Sequence, residues 1–104
     1  MKTIQDIDFS NYRIMGNAED ITCKMIISSA REGNRSFIIH GTDSYMLEID
    51  LSDSQIKIEI EHIGFGVMKY VFGSDNENEF RDLCEEIDSL IDDDGTDKVW
   101  VQDN

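Results

Sequence analysis

Cys23, Cys84, His40 and His62 are the side chains in this 104-residue chain best suited to nucleophilic or acid–base chemistry near neutral pH. A catalytic base needs a positioned partner and a nucleophile within reach. His40 stands three residues before Asp43, a spacing open to a His–Asp pair but equally to a plain turn at Gly41-Thr42-Asp43-Ser44. An enzyme reading rests on His40, Asp43 and His62 meeting in one cleft. No GxSxG, HExxH or Walker-type loop occurs. Gly64-Phe65-Gly66 begins like a phosphate loop, but the third glycine of that pattern falls at Lys69. It reads better as a strand break.

Metal chemistry meets similar obstacles. Two Cys and two His match a zinc ligand count, yet structural zinc sites draw ligands in close pairs, and these four are far apart. Asp92-Asp93-Asp94-Gly95-Thr96-Asp97 resembles a calcium loop until its register is tested. With Gly95 at the sixth position, Leu90 and Val101 take the first and twelfth, where neither can ligate. The sequence therefore predicts a protein without catalytic, cofactor or metal residues.

Acidity is the feature that remains. Asp and Glu number 23 against 9 Lys and Arg, a formal net charge of -14. Such an excess repels nucleic acid and anionic membranes and speeds encounter with basic proteins. Direct nucleic-acid binding would need clustered Lys and Arg, and here they are scattered. The charge is also uneven. Residues 1–74 hold 11 acids and 7 bases, whereas residues 75–104 hold 12 acids and 2 bases.

Those acids ride on a helix. Phe80, Leu83, Cys84, Ile87, Leu90 and Ile91 recur at steps of three and four, one apolar stripe. Ser74 with Glu77 reads as a capping box, Gly95 as the stop, and the helix runs from about Asp75 to Asp94. A helix of that length spans ~30 Å, so its acids fall about 3 Å apart along the axis. One strand of B-DNA carries a charge per ~3.4 Å. Glu79, Asp82, Glu86 and Asp93 line one side at repelling distances. Asp92, Asp93 and Asp94 oppose the helix dipole. Local rules broken without local compensation point to a binding role.

The rest of the chain reads as strands. Ile21, Cys23, Met25 and Ile27 alternate with Thr22, Lys24 and Ser28, Ile26 being the one exception, and predict a strand over Ile21–Ser28. Tyr45, Leu47, Ile49 and Leu51 predict another, and Ile56, Ile58 and Ile60 a third, with a hairpin at Ser52-Asp53-Ser54. Ser36–His40 is a short apolar run between the turns at Glu32-Gly33-Asn34 and Gly41–Ser44. Val67–Phe72 carries apolar residues on both sides, as if covered on both faces. Val99-Trp100-Val101 suits a final strand or a docked tail. Residues 1–10, with Ile4, Ile7 and Phe9, fit a short helix or a lead-in strand. The sum is a single α+β domain over residues 1–104. It is an antiparallel meander of five to six strands with one C-terminal amphipathic helix packed on one face.

The predicted function follows from the charge. The chain is expected to be a non-enzymatic inhibitor that blocks the basic, nucleic-acid-binding site of a nuclease or similar protein. Its contacts would be Glu79, Asp82, Glu85, Glu86, Asp88, Asp92, Asp93, Asp94 and Asp97, with Trp100 as an aromatic anchor. An immunity protein against a nuclease toxin and a phage DNA mimic of the anti-CRISPR kind both fit this physics. The alternative is an adaptor subunit that binds a neighbour through its sheet, its charge serving solubility. No apolar run reaches the ~20 residues of a membrane span. Residues 1–10 lack a basic stretch followed by an apolar one, and both cysteines sit at core-type positions, so the expected compartment is the cytoplasm.

Overall fold

Two connections that cross the sheet set the topology, and each is a helix. A computed structural model describes residues 7–73 and 75–103. Its elements run β1 (Tyr12–Asn17), α1 (Cys23–Arg31), β2 (Ser36–Gly41), β3 (Tyr45–Leu51), β4 (Gln55–His62), β5 (Gly66–Gly73), α2 (Glu77–Ile91) and β6 (Thr96–Gln102). Single 3-10 turns at Phe9–Asn11 and Ala18–Asp20 precede β1 and α1. The fold is α+β: one open sheet of six strands in the order β1-β6-β2-β3-β4-β5, with every neighbouring pair antiparallel.

From β2 to β5 the chain is the expected meander. Beyond it the expectation fails. β6 inserts between β1 and β2, so β1 runs parallel to β2, and β5 parallel to β6. Parallel strands need a crossover. Helix α1 makes the first and α2 the second.

The segment expected as a strand over Ile21–Ser28 is the source of the error, because it is α1 and the fold has two helices rather than one. Cys23, Ile26, Ile27 and Ala30 are its buried residues. They stand at i, i+3, i+4 and i+7, the helical repeat. The apparent alternation was a coincidence of four residues. Ile26, the exception to it, is fully buried, and Met25, counted as inward, is 42% exposed. Thr22 caps the helix, its hydroxyl accepting from the Met25 N–H.

Both helices lie on one face, and the core is between. Phe37, Ile39, Leu47, Ile49, Ile56, Ile58, Ile60, Val99 and Val101 face Cys23, Ile26 and Ile27 of α1 and Leu83, Ile87 and Ile91 of α2. Each such side chain contributes about 1.5–3 kcal/mol by leaving water. The cross-strand register keeps this face continuous: Leu47 pairs with Ile60, Ile49 with Ile58 and Leu51 with Ile56. On the opposite face Phe9 lays its ring on Trp100 at 4.7 Å and on His40 at 5.0 Å. The Tyr12 and Ser36 hydroxyls meet there at 2.6 Å.

Three further expectations change. Among the described residues β5 is an edge strand paired with β4 alone, and it is not covered on both faces, because Val67, Met68 and Val71 are about half exposed. α2 spans Glu77–Ile91, shorter than Asp75–Asp94, and its N-cap is Asn76, whose side chain accepts from Asn78 and Glu79. The expected capping residue Ser74 lies outside the described residues, as does Ile4. Gly95 does not stop α2 in a left-handed conformation; the positive-φ glycines are Gly33, Gly64 and Gly66. Gly64 and Gly66 turn the chain from β4 into β5.

Candidate partner-binding surface

The acids of α2 divide into two groups by what they touch. On the flank that faces α1, the Asp88 carboxylate accepts the Cys23 N–H at 2.8 Å. It thus satisfies an orphan donor at the N-terminus of α1 and sits at the positive end of that helix. On the opposite flank the Glu79 carboxylate accepts from the Gly73 N–H, and Glu86 accepts from the Tyr70 hydroxyl at 3.1 Å. Just past the helix, Asp93 accepts from the Tyr45 hydroxyl at 3.2 Å and from the Gly95 N–H at 2.9 Å.

Three members of the supposed repelling row, Glu79, Glu86 and Asp93, therefore have donors in the rest of the fold. Their compensation comes from outside the helix, from β3, β5 and the turn before β6, and was invisible in the helix sequence. Asp93 in particular shapes the turn into β6, where its carbonyl also accepts from Thr96 at 2.9 Å.

The second group is Asp82, Glu85, Asp92, Asp94 and Asp97, all exposed. Asp82 and Glu85 stand on the outer surface of α2, Asp92 and Asp94 at its C-terminal end. Asp97 stands at a bulge, skipped by the register in which His40 pairs with Lys98 and Gly41 with Thr96. Among the described residues the ion pairs are Arg13–Asp103, Arg35–Asp50 and Lys69–Glu59, with His62 near Asp43, and none involves an acid of α2. Arg81, the one base on the helix, is bonded to Asn78. Lys98 reaches Asn17 at 2.8 Å.

Trp100 does not join this surface. Val99 and Val101 on either side of it point into the helix-side core, so Trp100 turns to the opposite face, against Phe9. It is half-buried, and its indole Nε1 is buried with no hydrogen-bond partner among the described residues.

Of the residues singled out for catalysis, the fold brings His62 and Asp43 together and sets His40 apart. His62 Nε2 lies 3.6 Å from Asp43 Oδ1, and its ring stacks on Tyr45 and Phe65. His40 Nδ1 meets the hydroxyl of buried Ser44 at 2.9 Å, and its ring packs on Phe9, on the helix-free side of the sheet. The two histidines thus serve different faces. Cys23 and Cys84 are free thiols that meet where α1 packs on α2. Burial, and then the neighbouring Cys84, push the Cys23 thiol far above its ordinary value, which holds it protonated and unreactive. Among the described residues no three His, Cys, Asp or Glu side chains converge as metal ligands.

Burial, followed by the hydrogen bond that the phenol donates to Asp93, pushes Tyr45 up to about 12. The sign follows from linkage. The folded state favours the neutral phenol, so this contribution is complete below pH 10 and is lost as pH rises through about 12. Tyr45→Phe is expected to flatten the decline in stability between those values. Urea melts at stepped pH would measure it, and an unchanged decline would deny Tyr45 the role.

The adaptor alternative, with an exposed sheet edge or face, draws on apolar residues such as Phe65 or Trp100; the exposure of the strand after Phe65 was not foreseen. Phe65 is 76% exposed, and Val67, Met68 and Val71 are 50%, 48% and 59% exposed along the β5 edge. The signal was present, since Val67–Phe72 is apolar on both sides, but only the strand order shows that, among the described residues, nothing pairs beyond it. No family model, curated protein or solved structure matches the chain.

Proposed function

We propose that the protein is a non-enzymatic acidic inhibitor that occupies a basic, nucleic-acid-binding site on a partner protein. The observation that carries this reading is the group Asp82, Glu85, Asp92, Asp94 and Asp97, exposed and outside every ion pair among the described residues. Uncompensated surface charge of one sign is a steering field, strongest toward a surface of the opposite sign. The acids that hold the fold, Glu79, Glu86, Asp88 and Asp93, add to that field without being free to move. Trp100 is left out of the contact surface, because it packs on the other side of the sheet. An immunity protein against a nuclease toxin and a phage-type nucleic-acid mimic remain the two settings, with the cytoplasm as the compartment. No described helix is long and apolar enough to cross a membrane.

The test separates the two groups of acids. Asp82→Asn, Glu85→Gln, Asp92→Asn, Asp94→Asn and Asp97→Asn are combined in one variant, which leaves every carboxylate that bonds the fold in place. Affinity chromatography of native host extract on the wild-type protein is expected to retain a basic nucleic-acid-binding protein at low salt. Moderate salt should release it. The purified partner should bind the variant at least tenfold more weakly, with a shallower dependence on salt. Binding indifferent to both salt and neutralisation would end this reading. It would favour the adaptor instead, for which the exposed apolar residues of β5 are the supporting observation.

A further inference from the structure

We propose that the β5 edge, beside the acidic outer flank of α2, is a docking site for an extended strand of a basic protein, with Lys or Arg at alternate positions of that strand. This rests on the function proposed above and specifies how the partner is engaged. β5 is eight residues long, ends the sheet, and has neither proline nor acid to discourage pairing; Lys69 is its one charge. A largely apolar edge of this length, guarded by a single lysine, is a template for another strand.

The hydrogen-bonding phase of the edge can be read from its end. The Gly73 N–H is taken by the Glu79 carboxylate, so it turns away from Gln55, its partner across the ladder. Antiparallel alternation then turns the N–H and C=O groups of Val71, Lys69 and Val67 outward. Glu79 already does at one end of the edge what an incoming backbone would do along the rest.

The two faces of the edge specify the strand. Met68, Tyr70 and Phe72 lie on the helix side, opposite Ile60, Ile58 and Ile56. Glu79 and Glu86 bond to β5 from the flank of α2 turned away from α1. Long basic side chains fit there, their stems along Met68 and Tyr70 and their heads at the carboxylates. On the helix-free side Val67 and Val71 ask for apolar neighbours. A second copy of this chain does not suit the edge. Two-fold pairing of β5 with β5 would set the acidic flanks of two α2 helices side by side, where they repel.

The probe is a capped synthetic peptide as long as β5, alternating lysine and valine, with a glutamate–valine peptide as control. Titration into isotope-labelled protein, followed by NMR, is expected to shift the amides of β5 and slow hydrogen exchange at Val67, Lys69 and Val71. The control peptide should do neither. Val71→Lys, at an exposed position the fold tolerates, should weaken the lysine peptide at least tenfold, as should Lys69→Pro, with circular dichroism to verify folding. Absence of binding at millimolar peptide overturns the proposal. So does a β5-paired dimer in sedimentation, or binding that perturbs α2 and leaves β5 unchanged. If the neutralised acid variant loses the partner while Val71→Lys retains it, the inhibitor reading stands and the edge site falls.

Discussion

Ile26→Ala is expected to destabilise the protein by about 2–5 kcal/mol, and Met25→Ala by less than about 0.5 kcal/mol. The pair discriminates between two readings of one segment. If residues 21–28 formed a strand, Met25 would face the core and Ile26 would face water. In α1 the order is reversed: Ile26 is fully buried in the core, while Met25 is 42% exposed. The cost at Ile26 has two parts, the lost transfer of the side chain out of water and the cavity left in a packed core. Chemical denaturation of both variants measures it. Equal losses at the two positions would contradict the helix.

Gly41→Ala is expected to cost about 3 kcal/mol or more. Gly41 ends β2 at the point where β6 begins, and the two backbones touch there. A Cβ at Gly41 would overlap the Gly95 carbonyl oxygen and lie 2.6 Å from the Thr96 Cα. Neither obstacle is a side chain that can rotate away. The same Gly95 carbonyl accepts the Thr42 N–H at 2.5 Å, so a shift of Gly95 breaks that bond as well. Gly33, by contrast, has open space around its Cβ position, and its φ of 109° is what a side chain there would strain. Thermal unfolding should place Gly41→Ala well below the wild type, and a small change would mean that the β2–β6 junction yields easily. The junction carries the end of α2, so its loss should also displace Asp92 and Asp94.

Much of the local structure is legible in the chain because its cause is local. The alternation in β3 and β4 needs no partner to be read, since one face must be dry and the other wet. The stripe from Phe80 to Ile91 announces α2 for the same reason. At Ile21–Ser28 two periodicities coexist in a short window. Cys23 and Ile27 satisfy both, and only burial of Ile26 against the sheet decides between them. Once that segment is a helix, a crossover exists and β1 can lie parallel to β2. The sequence by itself offered no way to see that β6 fills the gap.

The candidate surface divides in the same way. Net charge and its concentration after residue 74 are properties of composition, so the sequence alone determined that this is an acidic protein with a more acidic C-terminal third. Which acids are available to a partner is a tertiary property. Glu79, Glu86, Asp88 and Asp93 find donors on Gly73, Tyr70, Cys23, Tyr45 and Gly95, and several of these bonds join residues far apart in the chain. Trp100 beside acids in sequence lies across the sheet from them in space, because neighbours on a strand face opposite ways. The exposure of β5 was decided last of all, by strand order. A strand's own residues fix its two faces, but whether its edge is paired depends on where the remaining chain comes to rest.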